Sequence, residues 1–333
     1  MTDSFAFLVI TFIIILGFEA VNGWTDAPNA IATVVSTRVL SPVAAVAMAA
    51  VFNLTGALSG TAVATTIGKG IIDLDVVPLE VLAAGALAVI IWSTTAAYFG
   101  LPTSESHGIV AGLAGAAVAV AGTDVLLWDG WRKVFQGVGL AVVIAFGGGL
   151  ILMSVLRWVV QRLSPSAMRR VFGPLQMASA AFMAWSHGTA DGQKAIGVMA
   201  AALAIYEGEG TKGFEVPLWV ILLAASVMAA STALGGWRIM RTLGMRLTHL
   251  EPVHGFAAEA TAAATLAVTS RFGIPLSTTH TIGSAIMGVG ASKRLSAVRW
   301  GIGYNIVGAW ILTFPICFGL GWLIAWLIAW PIP

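Results

Sequence analysis

Apolar runs fill this chain almost end to end, and they limit its fold more than any other feature. FAFLVITFIIILGF (5–18) is the first of them, and several reach the roughly 18 residues needed to cross hydrocarbon. Fifty-eight per cent of the 333 residues are hydrophobic and 10% are charged, whereas a soluble domain keeps about a quarter of its residues charged. The expected class is an all-α polytopic membrane protein; a β-barrel would show alternating segments of about ten residues instead. The 38 glycines suit close helix packing in lipid. The net charge of +2 says little, because in a membrane the position of charge matters more than its sum. The single cysteine, Cys317, lies in an apolar span, so no disulfide forms within the chain. MTDSFAFLVI lacks the basic start of a signal peptide, and the first run is expected to be retained.

Two polar stretches interrupt this pattern, and each occurs twice. NGWTDAPNAIA (22–32) and SHGTADGQKAIG (186–197) both fit Gly-x-x-Asp-x-x-(Asn/Lys)-Ala-Ile. GLPTSESH (100–107) and GIPLSTTH (273–280) both fit Gly-(Leu/Ile)-Pro-x-Ser-x-(Ser/Thr)-His. The copies lie 165 and 173 residues apart, which divides the chain into halves at 1–165 and 166–333. Apolar segments are read at 5–38, 43–63, 79–122, 134–160, 172–206, 217–236, 254–291 and 297–328.

Lys and Arg mark cytoplasmic ends. Arg157, Arg162, Arg169 and Arg170 follow the fourth segment, Arg238, Arg241 and Arg246 the sixth, and Lys293, Arg294 and Arg299 the seventh. The N-terminus carries only Asp3, YEGEG (206–210) is acidic, and Arg132 with Lys133 is the one pair against the pattern. The charges agree only if 79–122 and 254–291 turn back at their Gly-Pro breaks. They are then two re-entrant helical hairpins, the first dipping in from outside and the second from the cytoplasm. The halves become two inverted-topology repeats with broken helices meeting at mid-membrane, the layout of a secondary transporter. Both termini are expected outside the cytoplasm.

Irregular backbone in hydrocarbon persists only where protein buries it or a wet cavity uses it. A helix that starts at mid-membrane turns free N–H groups and the positive end of its dipole into the site. Ser104 and Ser106 would top one such helix, and Ser277, Thr278 and Thr279 the other. Two facing N-termini would suit a tetrahedral oxyanion; the alternative is that these hydroxyls only cap helices or bond back to the preceding turn. Asp26 and Asp191 are ionisable groups inside spans, for which function is the default reading, as cation ligand or proton acceptor. Asn29 and Gln193 could hold ion or substrate. Lys194 could pair with Asp191 or attract an anion. His107 and His280 could donate to the anion or relay protons. A structural contact between helices is the competing reading for each, and the preferred one for Asn22, Thr25, Asn53 and Glu259. No His-Glu-x-x-His or paired cysteine occurs, and GGG (147–149) lacks the Lys-Ser/Thr of a P-loop. Neither a catalytic metal nor ATP hydrolysis is expected, and no nucleic-acid partner. Trp322, Trp326 and Trp330 read as an interfacial anchor.

At these residues the chain resembles the inorganic phosphate transporter (Pit) family, whose signature is similar to G-A-N-D-V-x-N-A followed by P-V-S-T-T-H in each half. Here the blocks stand as GWTDAPNA (23–30) with LPTSESH (101–107) and GTADGQKA (188–195) with IPLSTTH (274–280), so the resemblance covers essentially the whole chain. It implies symport of inorganic phosphate with sodium or protons, or, in some bacterial members, uptake of neutral metal–phosphate. It implies an anion shell of Ser104, Ser106, Ser277, Thr278, Thr279 and Gln193, and a cation shell of Asp26, Asn29 and Asp191. The signature's Asn before each Asp is replaced by Thr25 and Ala190, which removes good sodium ligands. Glu105 stands where the signature has a hydroxyl. An ionised Glu105 would repel bound phosphate, so a proton or cation is expected there, which favours proton coupling or metal–phosphate over two-sodium symport. Alternatively Glu105 caps its helix and faces away. A sulfate permease of the same fold and a passive anion channel are the other transport readings, and an enzyme acting on a phosphorylated lipid is a remote one. The expected setting is the bilayer of a bacterial plasma membrane. A homodimer is compatible with such a bundle, although no residue specifies one.

Overall fold

Serine or proline starts many of the helices of this chain. Ser41 and Ser164 each sit one residue before a proline, and their side chains accept from the amides of Ala44 and Ala167. The computed structural model describes residues 4–329; Asp3 and Trp330, used above for orientation and anchoring, lie outside them. Twelve α-helices account for most of this range: α1 (Phe5–Ser36), α2 (Pro42–Ala57), α3 (Ala62–Lys69), α4 (Leu79–Phe99), α5 (Glu105–Ala121), α6 (Trp128–Val160), α7 (Pro165–Tyr206), α8 (Leu218–Thr232), α9 (Trp237–Arg241), α10 (Pro252–Arg271), α11 (Thr278–Ala291) and α12 (Trp300–Ala329). Among the described residues there is no strand, only an isolated bridge between Ile72 and Leu126.

A long helix, a bent pair, a hairpin and a second long helix follow one another, and then the same series occurs again. The bent pairs depart from the sequence reading, which had 43–63 and 217–236 as single runs. Helices α2 and α3 meet at 72°, and α8 meets α9 with its following π-helical turn (Thr242–Arg246) at 62°. The cause is local: Ser59-Gly60 separates the first pair, and Gly235, at φ +52°, with Gly236 separates the second. The hairpins fall where the Gly-Pro motifs placed them. Gly100 (φ +72°) ends α4 and Gly273 (φ +64°) follows α10, both left-handed. Pro102 and Pro275 bias the residues before them away from helix, and Ser104 and Ser277 cap α5 and α11 by accepting from the amides of His107 and His280.

The helices that carry Asp26 and Asp191 are themselves unbroken. Pro28 lies inside α1 and Pro174 inside α7, yet both helices run on. The breaks of this fold are in the hairpins and the bent pairs.

Packing interleaves the two series. Helix α5 lies along both α4 and α12, and α11 lies along α6 as well as α10. Glycines allow these approaches: a Cβ on Gly112 or Gly149 would come within 2.6 Å of the Gly85 or Ala285 carbonyl oxygen. Helix α7 packs against α1, α2 and α10. The outer faces of α6 and α12 expose Val143, Ile151, Val155, Ile311 and Leu312, as lipid-facing surfaces do. Helices α1, α4, α6 and α12 are each long and apolar enough to cross a membrane, and the two bent pairs qualify as broken spans. Trp322 and Trp326 stack near the end of α12 with ring centroids 6.1 Å apart.

Candidate functional site

Helices α1 and α7 bring their acidic residues against the tips of both hairpins. The geometry centres on Asn29. Its amide donates to Thr278 Oγ1 at 3.1 Å and to Thr279 Oγ1 at 2.9 Å. Thr278 then donates to Asp191 Oδ2 at 2.8 Å, and Thr279 to Asp26 Oδ1 at 3.1 Å. One amide thus orients two hydroxyls, each of which ends on a different carboxylate. Thr278 and Thr279 are the first two residues of α11, so both acids are held at its N-terminus, where the dipole favours negative charge.

The first hairpin contributes from the other side. Glu105, the first residue of α5, has Oε1 2.8 Å from Thr25 Oγ1 on α1. Thr25 is the residue next to Asp26. Glu105 therefore faces the cluster and not away. The two tips touch, with Ser106 Oγ donating to the Leu276 carbonyl at 3.0 Å. Lys194 Nζ is 2.8 Å from Asp191 Oδ1, and His187 Nε2 is 3.4 Å from Oδ2. His187 Nδ1 is 3.0 Å from Asn53 Oδ1. Asp26, Asp191 and His187 each offer a ligand atom within 4.8 Å of the others, a spacing that could hold a cation. Every one of these side chains is buried, with Asp26 at 3% the most exposed of the three acids, so the cluster is closed on all sides. Asp26 Oδ2, Glu105 Oε2 and Asn29 Oδ1 have no hydrogen-bond partner. Buried polar groups are costly to leave so, and unmet acceptors of this kind are receptive to a cation or a proton.

A model of the phosphate transporter family matches residues 22–321. The chain belongs to that family. It is 42% identical over 315 residues to a Rhizobium meliloti (strain 1021) protein named "Probable low-affinity inorganic phosphate transporter", with 94% of each chain covered. It is 39% identical over 320 residues to a Bacillus subtilis (strain 168) protein of the same name, covering 94% of this chain and 96% of that one. Its fold is similar to a solved structure titled "The sodium-dependent phosphate transporter", with a TM-score of 0.83, 23% identity and 100% of both chains covered. Family and apolar helices together make this an integral membrane transporter of phosphate and not an enzyme.

Within this phosphate transporter family member the expected residues divide into those that meet and those that do not. Asp26, Asn29, Glu105, Asp191, Thr278, Thr279, Lys194 and Thr25 meet. Ser104 and Ser277 serve as helix caps, as the blander reading had it, and Ser106 joins the tips. Gln193 turns elsewhere. Its Oε1 accepts from the amides of Val63 and Ala64 at 2.9 and 3.2 Å, capping α3 across the bend from α2. Thr61, at the cap position, makes no such bond. His107 and His280 turn to α12: their rings lie 4.5 Å apart, with Phe314 4.8 Å from His107 and Trp310 4.0 Å from His280. No ring nitrogen of either has a hydrogen-bond partner, so neither donates to the acids.

Sequence reasoning singled out neither His187 nor Glu19. Glu19 is fully buried and accepts from Asn22 Nδ2 at 3.1 Å. Its signal was the spacing 19, 22, 26 and 29, one face of α1. His187 stands four residues before Asp191, on the same face of α7. Glu259 ties three helices together, its oxygens accepting from Thr33 of α1 and Ser179 of α7.

Proposed function

We propose that this transporter is a secondary active symporter of inorganic phosphate, coupled to a proton or to a metal carried with phosphate more readily than to two sodium ions. Phosphate and cation would be held among Asp26, Asn29, Glu105, Asp191, Thr278 and Thr279. The observation that carries this reading is Glu105. Thr25 Oγ1 lies 2.8 Å from both the Val21 carbonyl oxygen and Glu105 Oε1. A threonine hydroxyl has one hydrogen, and the carbonyl can only accept. Both contacts become good hydrogen bonds when Thr25 donates to Val21 and a protonated Glu105 donates to Thr25. A protonated Glu105 no longer repels phosphate at the α5 N-terminus, and losing that proton with the substrate couples the two movements. Thr25 and Ala190, in place of amide ligands, fit the same direction.

The repeated series of elements supports the reading of 1–165 and 166–333 as inverted repeats, with alternating access achieved by parting the hairpin tips. A bacterial plasma membrane, termini outside the cytoplasm and a homodimer remain part of the proposal.

Labelled-phosphate uptake into proteoliposomes tests it, first under an inward proton gradient, then an inward sodium gradient, with Asp26→Asn as control and sulfate as competitor. Concentrative uptake on protons alone is expected. Uptake that requires sodium would discard the coupling argument, and uptake that merely equilibrates would discard symport.

A further inference from the structure

Asp26 and Asp191 occupy equal places in the duplicated motif, but their surroundings are unequal. Asp191 meets a partner on each oxygen: Oδ1 forms an ion pair with Lys194 Nζ at 2.8 Å, outside hydrogen-bond geometry, while Oδ2 accepts from Thr278 at 2.8 Å and faces His187 Nε2 at 3.4 Å. Asp26 accepts from Thr279 on Oδ1, and its Oδ2 has no partner. The residue three places after each acid differs. It is Lys194 in the second half and Asn29 in the first, whose Oδ1 is also unpartnered. Lys194 is 1% exposed. Glu19 and Asp26 also lie within electrostatic reach of its ammonium.

We infer that the Lys194 ammonium is a built-in cation: it fills beside Asp191 the place that its counterpart beside Asp26 leaves open, so that this transporter has one exchangeable cation site where the duplicated motif provides for two. This rests on the symporter reading and adds a stoichiometry to it. The physical reason is the cost of burying charge. A carboxylate in a closed site needs a positive partner, and a lysine tethered one helical turn away supplies it without loss of ion entropy. A free sodium ion cannot displace an ammonium that the chain itself holds there. It can bind where the tether is removed.

The test replaces Lys194 with the residue found in the equivalent place, Lys194→Asn, with Lys194→Arg as the charge-keeping control. Thermal stability of the purified proteins is measured in sodium chloride and in choline chloride of equal strength, with and without inorganic phosphate. Wild type and Lys194→Arg should show no sodium-specific shift that depends on Asp191, whereas Lys194→Asn should gain one. In Lys194→Asn, sodium should also raise the apparent affinity for phosphate by about fivefold or more, the usual scale of coupling between two ligands. If Lys194→Asn folds only in salt, rescue by sodium but not choline is the same result. A sodium shift in wild type that Asp191→Asn abolishes overturns the inference. So does a Lys194→Asn protein that gains no sodium response, or that neither salt rescues. Uptake by the wild-type protein is scored separately: failure there sinks the symporter reading, while these binding results bear on Lys194 alone.

Discussion

A single amide settles much of the site at the scale of residues. Asn29 donates both its hydrogens, and the two threonines pass the direction on to two acids. Asn29→Asp keeps the shape and removes both donors. We expect it to cost about 1–3 kcal/mol for each hydroxyl oxygen left without its donor, and to reduce phosphate uptake by tenfold or more on the scale of about 1.4 kcal/mol per tenfold. Uptake and melting temperature both within error of wild type would refute this. Glu105→Gln keeps a donor for Thr25 but carries no titratable proton. It should flatten the pH dependence of uptake while leaving the protein folded; an unchanged pH profile would remove Glu105 from the coupling. The acids and hydroxyls were legible in the sequence because ionisable groups inside apolar spans stand out by cost. The partners of Gln193 and the two histidines were not. An amide or an imidazole fits a cap or an aromatic stack as well as a ligand site, and only the crossing of α7 with α3, or of α12 with the hairpin tips, decides which.

Elements divide along the same line between local and tertiary causes. The hairpin breaks could be read because glycine, proline and a capping serine act within a few residues of themselves. The bends within 42–69 and 218–246 were missed, although Ser59-Gly60 and Gly235-Gly236 marked them, because a small-residue pair in a membrane helix signals close packing as often as a break. The continuity of α1 through Pro28 was not readable either, since what tolerates an interior proline in a membrane helix is its neighbours. Close packing gives the test at this scale. A Cβ on Gly188 of α7 would run into the backbone carbonyl of Asn53 on α2, whose side chain holds His187. Gly188→Val should cost about 1–3 kcal/mol in overpacking and lower the melting temperature in detergent. Gly139 meets nothing within 4 Å, so Gly139→Ala is the matched control and should leave melting unchanged. Equal melting for the two variants would mean that the α2–α7 crossing yields.

The whole molecule is closed at its centre, since the tips of the two hairpins join through Ser106 and the Leu276 carbonyl and bury the acids between them. If transport parts those tips, tying them should stop it. In a Cys317→Ser background, Ser106→Cys with Leu276→Cys joined by oxidation or a short thiol linker should abolish uptake, and cleavage of the disulfide should restore it. Uptake that continues in the linked protein would show that the tips travel together. The same architecture bears on how the chain is made. Helix α5 has its groove filled by α12, and α6 receives α11, each from the far end of the sequence. At about 5–20 residues per second, roughly ten to forty seconds pass between the synthesis of α5 and that of α12. For that interval the first hairpin has its polar tip and glycine-lined face without their final cover. A chain that stops before α12 therefore lacks the cover of its first hairpin, and truncation there should leave a product more open to protease than the finished protein.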